Sequence, residues 1–235
     1  MGLFSKLKKK EKKEETVEET NIELMGWTQI TNAFENLYPE QKNPKHYGTL
    51  IKWNLGGNDP LDGISIYDGG DYWHFVTYGL SEIYEKENEN KDVSGYGMEF
   101  TLKLKKDSTM DEEKEIKGIC GILQNIARMT FLKGEIFNPN EYLYTGQKKG
   151  MDTQMKSNIT GFITVSDPLI NYIDTPNGRV DFVEFIGVTY DEIESVKRRK
   201  LTVKELYEKL ASDITSYNRD SVVESVDITD EEKNQ

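Results

Sequence analysis

The chain has 235 residues, 36% hydrophobic, 11% aromatic and 31% charged, with a formal net charge of −12. That length supports one good-sized α+β domain with short tails, or at most two small domains, and it can bury a core without staples. The composition excludes a chain too polar to fold, and a mean hydropathy of −0.69 with no run near about 18 apolar residues speaks against an integral membrane protein.

The first 13 residues carry six lysines against one glutamate, a local +5 that leaves −17 on residues 14–235. Such a field repels nucleic acid and steers basic partners to the surface, or serves solubility alone. Residues 1–22, a basic head and then an acidic run, have too few apolar groups to pack and are expected to be a tail. Leu3, Phe4 and Leu7 beside the lysines make a weak membrane contact without lipidation, so no stable insertion is expected. The N-terminus lacks the apolar core and cleavage site of a secretory signal, which makes a cytoplasmic address the expectation.

Folded sequence is expected over 23–215. Trp27, Ile30, Phe34, Leu37 and Tyr38 fall on one helical stripe that Pro39 stops. Gly48 to Trp53 reads as a short strand, and the turn sequences GGNDP (56–60) and DGGD (68–71) bracket another at 64–67. WHFVTYG (73–79) has apolar residues on both faces and reads as a central, doubly covered strand. MEFTLKL (98–104) alternates, which puts Met98, Phe100, Leu102 and Leu104 inward and Glu99, Thr101 and Lys103 outward.

A long helix is predicted at about 113–133, with Ile116, Ile119, Cys120, Leu123, Ile126 and Ala127 on its stripe and Gly134 as the stop. Gly118 and Gly121 inside it each cost about 1 kcal/mol relative to Ala, so close approach to the sheet is expected there. The polar segment 145–158 reads as a mobile surface loop, followed by strands at 159–165 and 179–188. Thr189 with Glu192 and Thr202 with Glu205 have capping-box spacing and should open two short helices, the second docked by Val203, Leu206, Tyr207 and Leu210. Residues 216–235 read as an acidic C-terminal tail. Runs of strands with segregated helices, without strict βαβ alternation, argue for α+β.

No metal or nucleophile site is legible. His46, His74 and Cys120 are far apart with no metal-ligand spacing, and the single Cys120 reads as a small core hydrophobe. NDPLDG (58–63) fails as a calcium loop because Pro60 takes a ligand position and Gly69 stands where the terminal glutamate belongs. No G-x-S-x-G elbow, P-loop or G-x-G-x-x-G turn occurs, so no catalytic residue and no cofactor are assigned. A carboxylate-dependent hydrolase built from the acidic neighbours stays open as an alternative. The conspicuous feature is aromatic crowding, with Tyr67, Tyr72, Trp73, Phe75, Tyr78, Tyr84 and Tyr96 interleaved with acidic residues. Such residues suit an interface for a basic partner, or all of them fill the core.

DPLDGISIY (59–67), YWHFVTYGLSEIYEKE (72–87) and SGYGMEFTLKLKK (94–106), followed in order by FITVSDP (162–168) and TPNGRVDFVEFIGVTYDE (175–192), resemble the suppressor-of-fused domain family. The resemblance implies a compact α+β domain with a mixed or antiparallel sheet and packed helices, and neither catalysis nor cofactor. In animal members a second lobe joins this one and the pair clamps a peptide. No second lobe is expected here. Bacterial single-domain relatives resemble immunity proteins that neutralise secreted toxins, often nucleases, by direct binding, and an acidic body suits a basic toxin. A regulatory adaptor for an endogenous protein is the other reading. Asp59, Asp62, Tyr78, Glu82, Tyr84 and Glu99 are the expected partner face. Trp73 and His74 are a family-like pair open to a core reading, and Gly79, Gly95 and Gly97 are positions of unusual torsion or close approach.

Overall fold

The computed structural model of the chain describes residues 25–87, 89–147 and 150–225. The N-terminal tail and the acidic stretch from 226 onward lie outside the described residues. The first helix, α1 (Met25–Leu37), buries Ile30 and Phe34 from its apolar stripe. The first strand, β1, is Lys45–Gly48 and not the expected Gly48–Trp53. Its pairing with β2 (Gly63–Asp68) runs out at Gly48 opposite Gly63. Leu50 and Ile51 therefore have no strand to join and stay exposed, and Trp53–Leu55 winds into a 3-10 turn closed by Gly56 at φ 88°.

The remaining strands are β3 (Tyr72–Tyr78), β4 (Val93–Lys105), β5 (Tyr142–Tyr144), β6 (Ile159–Ser166), β7 (Tyr172–Thr175), β8 (Gly178–Thr189) and β9 (Ile214–Thr215). They make a nine-stranded mixed sheet in the order β1-β2-β3-β4-β8-β6-β5, with β7 on β8 and β9 on β4. β4 runs parallel to β8 and to β9, and the other pairs are antiparallel. The molecule is a single α+β domain.

Helix α2 (Glu112–Lys133) starts at an Asp111 cap that accepts from the Lys114 N–H and stops at Gly134, φ 71°. Its stripe of Ile116, Ile119, Leu123, Ile126 and Ala127 covers Met98, Phe100, Leu102 and Leu104 of β4. Helix α1 packs Ile30 and Phe34 on Tyr67, Val76, Tyr78 and Phe182. Helices α3 (Tyr190–Lys197) and α4 (Val203–Leu210) cover Ile163, Val165, Ile186 and Val188, and both begin in the expected capping boxes.

Alternation in β4 therefore misleads. Glu99, Thr101 and Lys103, expected outward, are all buried. The reason is that both faces of the central strands are covered; Glu99 and Lys103 find partners inside the protein, while the Thr101 hydroxyl is buried without one. Two other expectations change. An added Cβ on Gly121 would meet nothing within 4 Å and one on Gly118 would meet only Thr153, so neither glycine serves approach to the sheet. Residues 152–157 of the expected mobile loop are tied down by Asp152, which accepts from the Lys156 and Ser157 N–H groups, and by Thr153 on Glu115. Packing also continues past Thr215, with Tyr217 buried in the α2 cluster and Arg219 donating to Glu192 at 2.6 Å.

Candidate functional site

The chain leaving β3 builds the wall of a cleft. Pairing of β3 with β4 stops at Val76 opposite Thr101, and beyond it the Thr77 hydroxyl substitutes for the ladder, accepting from the Phe100 N–H at 2.8 Å. The same hydroxyl donates to Glu99 at 2.6 Å. The other Glu99 oxygen accepts from three successive backbone N–H groups, Gly79 at 2.9 Å, Leu80 at 3.1 Å and Ser81 at 2.9 Å, and from the Ser81 hydroxyl at 2.7 Å. Successive N–H groups aimed at one anion form a nest, filled here by the protein's own carboxylate. Burial pushes the Glu99 carboxyl up to about 7, against the lowering effect of these donors.

The rest of this wall is held just as locally. Gly79 has φ 128° and Gly95 φ 57°, and a Cβ on Gly95 would lie 2.9 Å from the Leu80 carbonyl oxygen. Gly97, at φ 76°, would drive a Cβ into Val93. Glu82 N–H donates to the Ser94 hydroxyl at 3.0 Å, Trp27 N–H to the Ile83 carbonyl at 3.0 Å, and the Asn177 amide to the carbonyls of Glu82 and Tyr84. Three separate stretches of chain, β4, α1 and the β7–β8 turn, thus fix residues 79–84.

Across from this wall stand Lys52, Trp53, Pro60, Asp62 and Phe131, and the cleft between them encloses about 240 Å³. The Lys52 ammonium lies 3.7 Å from the centre of the Tyr84 ring. Burial raises the Asp62 carboxyl, and the charge of Lys52 and a hydrogen bond from Tyr84 work against the rise. Burial likewise raises the Tyr84 phenol. Glu82, Glu85 and Glu87 line the rim, with Lys86 on Glu82 at 2.8 Å. Aromatic walls and an acidic rim suit a cationic guest.

Three of the six residues expected on a partner face are therefore brought together here, namely Asp62, Glu82 and Tyr84. Tyr78 and Glu99 are corrected, because both are buried, Tyr78 stacked on Trp27 with ring centres 4.2 Å apart. Asp59 pairs with Arg128 at 2.7 Å and lines a different groove of about 730 Å³ along α2. Trp73 is a core residue, with the Lys45 and Lys106 ammonium groups 4.5 and 4.0 Å from its ring centre. His74 is fully buried, its Nδ1 2.8 Å from the Tyr38 hydroxyl and its Nε2 2.9 Å from Asp167.

Sequence reasoning missed one cluster. The buried Lys103 ammonium lies 2.9 Å from Glu184, 2.9 Å from Asp213 and 3.3 Å from Asp167. Burial opposes the Lys103 charge, but Glu184 and Asp167 outweigh it and hold the ammonium above its usual range. Burial raises Glu184, and the charge of Asp167 adds to the rise. Burial would raise Asp167 too, but the hydrogen bond with His74 and the charge of Lys103 hold it well below the carboxylate range. Lysine between Leu102 and Leu104, and Glu184 inside an apolar strand, were the available signal, since buried charges come in pairs. Among the described residues no group of His, Cys, Asp or Glu is arranged to hold a metal ion, and no helix is long and apolar enough to cross a membrane.

Comparison with known proteins places this architecture. The chain is 28% identical over 186 residues to the suppressor of fused homologs of Homo sapiens and Mus musculus, covering 74% of this chain and 37% of each of theirs. It therefore spans little more than a third of those relatives. The Sufu–Fu complex structure superposes with a TM-score of 0.75 at 28% identity, over 85% of this chain and 93% of that one. Drosophila Suppressor of Fused gives 0.73 at 28% identity, over 84% and 51%. A suppressor of fused homolog from Neisseria gonorrhoeae shares the fold, with a TM-score of 0.54 at 14% identity over 88% of this chain and all of that one. The suppressor of fused protein (SUFU) family model matches residues 57–220, and the chain belongs to that family.

Proposed function

We propose that this chain is a protein-binding module without catalytic activity, and that it takes a basic protein partner at the cleft between residues 79–87 and the 52–62 loop. The observation that carries the reading is the placement of Asp62, Glu82 and Tyr84 around one aromatic-walled cleft in which a lysine ammonium already lies on the Tyr84 ring. A cleft of about 240 Å³ is smaller than the roughly 300–1,000 Å³ of sites for drug-sized ligands, so it suits an anchoring side chain from a larger partner. The wall is fixed before any partner arrives, which lowers the ordering cost of association.

The partner we favour is a basic toxin neutralised by direct contact, which makes the chain an immunity protein. The −17 carried by residues 14–235 supports this, because an acidic inhibitor gains on-rate toward a basic nuclease from long-range steering. The test is co-expression with the toxin encoded beside its gene. Restored growth is expected, with association that weakens as salt rises. A neighbouring toxin that still kills would remove the immunity role. Similarity to the Sufu of the Sufu–Fu complex favours a second reading, a regulatory adaptor for an endogenous protein. A cellular partner captured through the same cleft, in the absence of any toxin gene, would select it.

A further inference from the structure

We infer that Lys52 is a built-in occupant of the cleft, standing where an incoming lysine or arginine of the partner binds and giving way to it. This rests on the proposed binding role and names the group that the cleft recognises. Lys52 is the cation that lines a cleft whose other charged lining residues, Asp62, Glu82, Glu85 and Glu87, are acidic. Its ammonium has the environment a foreign cation would need, 3.7 Å from the Tyr84 ring centre and close enough to Asp62 to oppose the rise of that carboxyl.

The bonds that anchor the backbone of the Lys52 arm do not run through the Lys52 side chain. Lys52 sits on an arm that closes its own backbone bonds, its carbonyl accepting from the Leu55 and Gly57 N–H groups at 3.0 Å each. The arm is anchored at its two ends. Thr49 donates to the Leu61 and Asp62 carbonyls, and Arg128 to the Asn58 carbonyl. The opposite wall, residues 79–84, is held from β4, α1 and the β7–β8 turn, so it stays in place when the occupant changes.

The arm also indicates what surrounds the incoming cation. Leu50, Ile51 and Leu55 on this arm are exposed by 102%, 57% and 75%. On this proposal a partner that inserts a lysine or arginine past Lys52 approaches an arm that carries exposed apolar side chains within three residues of Lys52, so its matching surface is a basic side chain with apolar residues beside it. Such a basic centre with an apolar surround has the composition of an interface anchor.

The test is an NMR titration of the full chain with a deca-lysine peptide at low salt, following the signals of residues 62, 82 and 84. Lys52→Ala removes the competitor and is expected to bind about two- to five-fold tighter than wild type, the range an exposed cation–aromatic contact supplies. Lys200→Ala, an equal charge change on the exposed α3–α4 connection, is expected to change affinity less than about 1.5-fold through the general field. Lys52→Met, which keeps the aliphatic stem, should behave as Lys52→Ala. Adding Tyr84→Leu to Lys52→Ala should abolish the gain. Equal tightening by Lys52→Ala and Lys200→Ala would overturn the inference and leave the cleft as a binding site. Peptide binding that leaves residues 62, 82 and 84 unperturbed in every variant would overturn both.

Discussion

Glu99 and Glu184 are fully buried carboxylates of the same sheet, and they are satisfied in opposite ways. Glu99 meets neutral donors only, and all of them lie 18 to 22 residues away along the chain. Glu184 meets a cation, and that cation, Lys103, gathers partners 64 to 110 residues distant. A carboxylate held by backbone N–H groups dictates a local backbone shape, and here it shapes the wall of the cleft. A carboxylate held by a shared ammonium ties remote segments together and gives them no particular surface. The first arrangement shapes the proposed site and the second ties the fold together.

The largest expected effect comes from breaking the second arrangement. Lys103→Met leaves Asp167, Glu184 and Asp213 facing one another, and should cost about 3–5 kcal/mol in urea unfolding, the usual consequence of stranding buried charge. Breaking the first is milder. Glu99→Ala strands the Gly79, Leu80 and Ser81 N–H groups and should cost about 3 kcal/mol, while Glu99→Gln keeps a carbonyl in the nest and should cost about 1 kcal/mol.

Acid separates Glu99 from Asp167, a member of the second arrangement that responds with opposite sign, whereas Glu184 is raised as Glu99 is. Glu99, pushed up to about 7 from 4.5, binds its proton more readily folded than unfolded, so its contribution to stability falls as pH rises through that window and is constant above it. Glu99→Gln should remove that slope from the pH profile of stability. Asp167 is held below its ordinary 3.8, so its contribution is present at neutral pH and is lost as pH falls below that value. The smallest effect calibrates the scale. Thr202→Ala removes an exposed capping box of α4, makes no contact with Glu99 or Asp167, and should cost about 1 kcal/mol without altering either pH response.

The contrast also explains which features could be read from the sequence. Elements set by local pattern were legible. The α2 stripe, both capping boxes and the β2, β3, β6 and β8 strands follow from spacing within a few residues. The β1 strand was displaced because its length depends on pairing with β2, which no local pattern reveals. Glu99 was misplaced because period-2 alternation reports chemistry and not cover, and the second face of β4 is covered by segments far away in the chain. Of the aromatic run, Tyr67, Trp73, Phe75 and Tyr78 went to the core while Tyr72, Tyr84 and Tyr96 kept partial exposure. Asp62, Glu82 and Tyr84 were nameable as residues, but their meeting at one cleft depends on the turn that Glu99 enforces.

The most direct test of the proposed partner face is the affinity of the proposed basic partner for wild type and for the Asp62→Asn, Tyr84→Ala double variant. Circular dichroism and thermal unfolding should show the variant folded. A loss of about 30-fold or more, the scale of an interface hot spot, with a shallower salt dependence, is the predicted result. Undiminished binding by the folded double variant would contradict the cleft as the partner site.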